Sequence, residues 1–296
     1  MKKKGLDRRW IYLIMGIVTV AFLLIPFPLP PGGSIQSKAL FEKIDSLKPG
    51  DTVFLAVDYD PPAGAEIYPA HVAIVYHLFK KRVKMIAGSL WPAGPPLSDK
   101  AFADAIKLLE KEGFPYKPKY GVDYCNLGYK PGREIAIVNM GSSLPKTFPK
   151  DSHEYSTSDY EHLPIMKGVQ NFSQIKLVIS FSAGNPGTRE WIAQARDRFN
   201  IEIVGAVTAV MSPDLYAFFP RQIGGFAGGL AGAYEYRYMV YEKYFKSQGK
   251  SPTSDDVPFP GKELNRSMAV QSIVHFLIIF LVILGNISFF LSRKKT

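Results

Sequence analysis

Residues 175–210 read IKLVISFSAGNPGTREWIAQARDRFNIEIVGAVTAV. An apolar, partly β-branched run, 175–182, stops at a Gly/Pro-rich turn. The helical pattern REWIAQARDRF follows at 189–199, and a second apolar run fills 201–210. Short, mostly apolar runs of this kind suit strands covered on both faces, and such strands occur in parallel sheets flanked by helices.

The same alternation extends toward the N-terminus. TVFLAVDY (52–59), VKMIAGSL (83–90) and YGVDYCNLG (120–128) read as further strands. Between them lie helical patterns at 37–47, 66–81 and 99–113, while EIAIVNMGSSL (134–144) suits a strand or a helix turn. Residues 145–165 are polar and turn-rich, as a surface excursion would be. Toward the C-terminus, 212–222 reads as a loop carrying Tyr216, Phe218 and Phe219. Ile223–Phe245 reads as a closing helix, and 246–266 as a polar linker. The expected fold is a doubly wound, mostly parallel α/β sheet of Rossmann-like type over residues 31–245.

The chain has 296 residues and a net charge of +10. Residues 1–9 carry +4 and residues 293–296 carry +3, which leaves +3 for everything between. Each basic tail abuts an uncharged run, WIYLIMGIVTVAFLLIPFPL at 10–29 and MAVQSIVHFLIIFLVILGNISFFL at 268–291. At about 1.5 Å per residue, either run is long enough for about 30 Å of hydrocarbon. The expectation is a membrane helix over 10–30, not a cleaved signal, because Ile25-Pro26-Phe27-Pro28 offers no small-x-small site. A second is expected over 267–292. Basic tails at both ends place both termini in the cytoplasm and the central domain outside it. The lipid bilayer is thus the expected partner, whereas +3 over the central domain is too little for a nucleic-acid surface.

In an open α/β sheet, ligands bind at the carboxyl ends of the strands. Gly/Pro-rich loops fall there, and they supply the candidate ligand-binding residues Asp58, Asp60, Ser89, Trp91, Lys130, Ser182, Gly184, Asn185, Thr188 and Thr208. Asp58-Tyr59-Asp60 has the Asp-x-Asp form that can hold a divalent metal, if a turn converges the two carboxylates. SAGNPGT joins a strand to a helix, where free N–H groups can favour an anion, but a turn with Thr188 as helix cap is the favoured reading. The loop matches neither the GxGxxG fingerprint nor a Walker A loop. No HExxH, no nucleophile elbow and no metal-ligand cluster occurs, and the single cysteine, Cys125, suits a buried structural thiol. No cofactor is indicated.

Gly224, Gly225, Gly228, Gly229 and Gly232 fall within the expected closing helix. Each glycine costs about 1 kcal/mol there relative to alanine, so close packing on a sheet or on a second subunit is the expected reason. These five are the candidate interface residues.

The motifs SLWPAGPPL, LGYKPG, LPIMKGVQNF, SAGNPGTREWI, GAVTAVMSPDLYAFF and GGLAGAYEYR resemble a family of uncharacterised prokaryotic membrane proteins. In that family an α/β domain lies between two terminal membrane helices. The resemblance covers roughly residues 40–245 and implies the same architecture, with no activity, substrate or catalytic residue attached. The function expected from the two anchors, the Gly-rich strand ends and the glycine-faced helix is a membrane-anchored module that binds a ligand, or assembles with itself or with other membrane proteins. The alternative is a membrane-surface metal-dependent transferase or hydrolase using Asp58 and Asp60.

Overall fold

The structure, a computed structural model, describes residues 8–24, 32–252, 257–259 and 262–293. It divides into two compact units, residues 31–260 and the two terminal segments 1–30 and 261–296.

The larger unit opens with helix α2 (Ile35–Asp45), capped by Ser34, whose hydroxyl accepts the N–H of Ser37. The chain then runs β1 (Thr52–Asp58), α3 (Gly64–Lys80), β2 (Lys84–Ser89), α4 (Gly94–Glu112), β3 (Tyr124–Tyr129), α5 (Arg133–Ser142) and the short α6 (Leu144–Thr147). Next come β4 (Leu177–Ser182), α7 (Thr188–Trp191), a π-helical segment at Ile192–Arg196, α8 (Asp197–Phe199) and β5 (Ile203–Val207). α9 (Ser212–Leu215), β6 (Phe226–Gly228) and α10 (Gly229–Tyr244) complete it.

All six strands are parallel, in the order β3-β2-β1-β4-β5-β6. β1 is central, with Leu55 facing Ala87 of β2 on one side and Ile179 of β4 on the other. The strand order reverses between β1 and β4, the position at which open α/β sheets form a crevice. Alternation along β1 feeds two cores. Val53, Leu55 and Val57 pack with Leu40, Ile74, Phe102 and Tyr236 under α2, α3, α4 and α10, while Phe54 and Ala56 pack with Ile137, Met140 and Trp191 under α5 and α7.

Several expectations need correction. The helix expected over Ile223–Phe245 is two elements. Residues 226–228 pair with β5 as an edge strand, and the helix starts only at Gly229, in a left-handed conformation with φ +58°. Sheet pairing overrides helical periodicity here because β5 would otherwise expose an unpaired edge. α4 begins at Gly94, five residues early, with two prolines in its first turn where no N–H is needed. Residues 134–142 of EIAIVNMGSSL are helical, within α5, and Ser143 is extended. The 145–165 excursion buries Leu163 and Ile165 in the second core, and the linker buries Val257 and Phe259 in the first. Residues 257–259 therefore belong to the α/β unit.

In the other unit, α1 (Arg8–Leu24) has 17 residues and is apolar. α11 (Lys262–Arg293) contains a 22-residue stretch, Arg266–Ile287, which is long and apolar enough to cross a membrane. The basic residues at 2–4 and 294–295, and the prolines that close the first apolar run, lie outside the described residues.

Candidate functional site

The carboxyl ends of the strands do bring most of the expected residues together, but they hold one another. Asp58, at the end of β1, is fully buried. Its Oδ1 accepts the Leu90 N–H at 2.7 Å and its Oδ2 accepts the Trp191 indole N–H at 2.7 Å. Burial pushes its carboxyl up to about 7, against the pull of those donors. Asp60 is engaged elsewhere, accepting the Ala63 N–H at 3.3 Å to cap the turn Pro61–Ala63. The two carboxylates of the Asp-x-Asp tripeptide therefore do separate structural jobs. Among the described residues, no three His, Cys, Asp or Glu side chains gather as metal ligands would.

Ser89 is buried, 2.6 Å from the Val57 carbonyl and 2.7 Å from that of Trp91, and it accepts the Trp91 N–H. Trp91 donates its indole N–H to the Pro186 carbonyl at 2.8 Å, and a Cβ at Gly184 would lie 3.2 Å from its ring. Its side chain thus ties the loop after β2 to the loop after β4. Buried Ser182 accepts the Thr188 N–H at 3.2 Å, and the hydroxyls of Ser180 and Thr188 lie 2.9 Å apart. The anion-binding role expected for SAGNPGT is taken internally: Glu190 accepts the Gly187 N–H at 2.7 Å. Asn185 is exposed and contacts Glu190 and Arg133. The Thr208 carbonyl starts the turn into α9, accepting from Met211 and Ser212, and the Lys130 N–H joins the Ser89 carbonyl at 2.8 Å.

A second closure lies across the sheet. Glu66, in the first turn of α3, accepts the Ala209 N–H beyond β5 at 2.7 Å. Acidic Asp60 and Glu66 occupy the helix start at which a dinucleotide fold receives pyrophosphate, so this end repels phosphate.

Open volume lies farther along the same edge. A 220 Å³ cavity sits at the ends of β5 and β6, with Ser34 and Gln36 on one side, Ala209, Ser212 and Tyr216 on another, and Phe226, Gly228, Ala231, Gly232 and Glu235 closing it. A 450 Å³ cavity adjoins it between α2 and α10, sharing Ser34 and Glu235 and reaching Ser37, Lys38, Tyr238, Met239 and Glu242. The Glu235 carboxylate accepts the N–H of Ser34 at 3.3 Å and also its hydroxyl. Buried Ser37 also lines the larger cavity, and its hydroxyl has no protein partner.

The two helices around this space are held by buried His77 of α3, whose Nδ1 lies 2.8 Å from the Tyr236 hydroxyl in α10. Its Nε2 lies 3.2 Å from Asp45 in α2. The His77 contact, with further help from Lys243, keeps the Asp45 carboxyl well below its usual range.

The five candidate interface glycines meet their own chain. A Cβ at Gly225 would strike the backbone of Ala39 and Leu40; at Gly228 it would strike Ser212, at Gly229 Ala209, and at Gly232 the backbone of Ala227. Gly224 faces Glu202 and Lys43. Their close packing is that of α2, the β5 loop and α10 on one sheet edge. Ser34 and Glu235 escape sequence reasoning because 201 positions separate them; the one local signal is a single carboxylate in the tyrosine- and glycine-rich stretch GGLAGAYEYRY. The chain matches no known family, no curated protein and no solved structure.

Proposed function

We propose that this protein is a membrane-anchored ligand-binding module, whose α/β domain takes a small molecule in the cavity at the carboxyl ends of β5 and β6. The observation that carries the reading is the pair of adjoining cavities meeting at Ser34 and Glu235, on the sheet edge at which α/β folds bind ligands. Both terminal helices anchor the chain in this reading, with the termini cytoplasmic and the domain outside. The apolar length of α11 and the basic residues flanking both apolar runs support it. Assembly through the glycine face loses its motive, since that face is filled by the chain itself. The metal-dependent enzyme reading lacks the converging carboxylates that it needs.

Native mass spectrometry of the full-length protein, extracted from its own membrane in mild detergent, tests this. The wild type is expected to carry a small-molecule adduct. Ala231→Trp, which places an indole in the smaller cavity, is expected to lose it. An adduct that survives in Ala231→Trp, or none on the wild type, counts against the proposal.

A further inference from the structure

Resting on the membrane-anchored part of the reading above, we propose that the domain edge carrying Ile35, Val210 and Tyr216 docks on the lipid surface of the bilayer that holds the chain, with these three side chains entering the headgroup layer.

Outside the two apolar helices, Val210 at 86% and Ile35 at 71% are the most exposed large apolar side chains among the described residues, and Tyr216 is 54% exposed. The three lie around one opening. Ser34, Gln36, Ala209, Ser212 and Tyr216 line the smaller cavity. Ile35 falls between two of these lining residues, and Val210 directly follows a third. Single exposed apolar side chains are ordinary, whereas several around one opening form a patch of the kind that marks a binding surface. Two aliphatic tips beside a tyrosine suit a bilayer interface, where an amphipathic ring sits at headgroup level.

The places where the chain leaves the domain argue for lipid as the occupant. At the N-terminal exit, Glu235 of α10 accepts the N–H of Ser34 at 3.3 Å and also its hydroxyl. At the C-terminal exit, Arg237 of α10 donates to the Pro258 carbonyl at 3.2 Å, and its guanidinium lies over the ring of buried Phe259, 4.7 Å from the centroid. Both exits are thus fastened to one helix, at Glu235 and Arg237. Their reach is short. Leu29, at the end of the first uncharged run, precedes Ile35 by six positions. An extended chain spans at most about 3.5 Å per residue, so Ile35 stays within about 21 Å of the hydrocarbon edge if that run spans. From Phe259 to Met268, where the second run begins, the chain is helical from Lys262 onward. That path covers about 20 Å at most. A domain held twice on one edge at this range keeps that edge toward the bilayer, and Ile35 directly follows one of the two fastenings. The smaller cavity then opens onto the headgroup layer.

The test uses full-length protein in phosphatidylcholine vesicles, with the environment-sensitive dye NBD on one introduced cysteine at a time. Native Cys125 is buried and takes no dye. The sites are Ile35→Cys, Val210→Cys, Ser173→Cys at an exposed position before β4, and Ile279→Cys in α11. Side chains of an interfacial surface reach about 5–10 Å into the headgroup and acyl boundary. A doxyl spin label high on the lipid chains is therefore expected to remove more than half of the emission at Ile35→Cys and Val210→Cys, and none at Ser173→Cys. A spin label near the chain ends is expected to quench Ile279→Cys, which reports anchoring alone. No quenching at Ile35→Cys and Val210→Cys, or equal quenching at Ser173→Cys, overturns the docking. So does a blue-shifted dye at Val210→Cys without lipid quenching, which assigns the patch to a protein such as a second copy of the chain. With Ile279→Cys quenched, anchoring stands and the docking alone falls; with Ile279→Cys unquenched, both fall.

Discussion

Asp58 shows how far a residue's surroundings decide its chemistry. By type and position it was a candidate metal or substrate ligand. In the fold it is sealed under the loops after β2 and β4, with each carboxylate oxygen accepting one N–H. Its carboxyl rises from an ordinary 3.8 to about 7. A raised carboxyl makes the folded state bind more protons than the unfolded one between these values. Its contribution to stability is therefore complete below about pH 4 and is lost as pH rises through 7. Buried His71 acts in the opposite sense. Burial pushes its imidazole down to about 3, so the stability it allows is present above its ordinary 6.5 and is lost as pH falls. The two slopes oppose each other in the wild type, and a variant must separate them. Asp58→Asn is expected to be destabilised at pH 4, where one N–H loses its acceptor. Relative to wild type it should then gain, by up to roughly 4 kcal/mol, as pH rises to 7. Denaturation midpoints of both proteins across that range measure the difference, and a difference independent of pH would show that Asp58 does not titrate there.

At the scale of elements, the instructive one is the segment from Gly224 to Gly232. Five glycines in this stretch read as part of one close-packing helix. The chain instead forms a strand at 226–228, and each glycine meets a different neighbour. Gly225 and Gly224 should respond differently to the same substitution. A Cβ at Gly225 would sit 2.2 Å from the Leu40 nitrogen, a backbone atom that cannot swing aside. Gly225→Ala is expected to cost about 3 kcal/mol or more, and the damage reaches the α2 wall of the cavity. At Gly224 the nearest atoms are the ends of the Glu202 and Lys43 side chains, so Gly224→Ala should lie within about 1 kcal/mol of neutral. Thermal unfolding of the two variants decides this, and equal losses would point to backbone conformation and away from contact. A glycine pattern was legible in the sequence, but what each glycine approaches was not, because Ala39 and Leu40 are some 185 positions away.

At the scale of the molecule, the +10 charge is a statement about the ends of the chain. Seven of those ten charges lie in residues 1–9 and 293–296, beside the apolar runs. The proposed outward placement of the α/β domain is open to a clean test, because the single native cysteine is hidden. Cys125 is fully buried and burial pushes its thiol well above the usual range, so it should stay unlabelled in the folded protein. A cysteine introduced at exposed Ser173 then reports alone. A membrane-impermeant maleimide is expected to label Ser173→Cys in intact cells whose outer layers admit the reagent, and wild type only after denaturation. Labelling of Ser173→Cys only after lysis would place the domain on the cytoplasmic side.

The sequence by itself determined the class of fold, the positions of five of the six strands, and the apolar C-terminal run flanked by basic residues. These depend on local periodicity, on turn residues and on where charges interrupt an apolar stretch, all of which operate within about twenty positions. Only the tertiary structure decided that β1 is central, that β6 exists, that Asp58 is sealed and Asp60 is a cap, and that Ser34 and Glu235 share a cavity. The Asp60 cap is a local contact three residues long, whereas the others follow from the order of strands in the sheet. That order is set by which large apolar faces pack best, and so it brings together residues that no local pattern links.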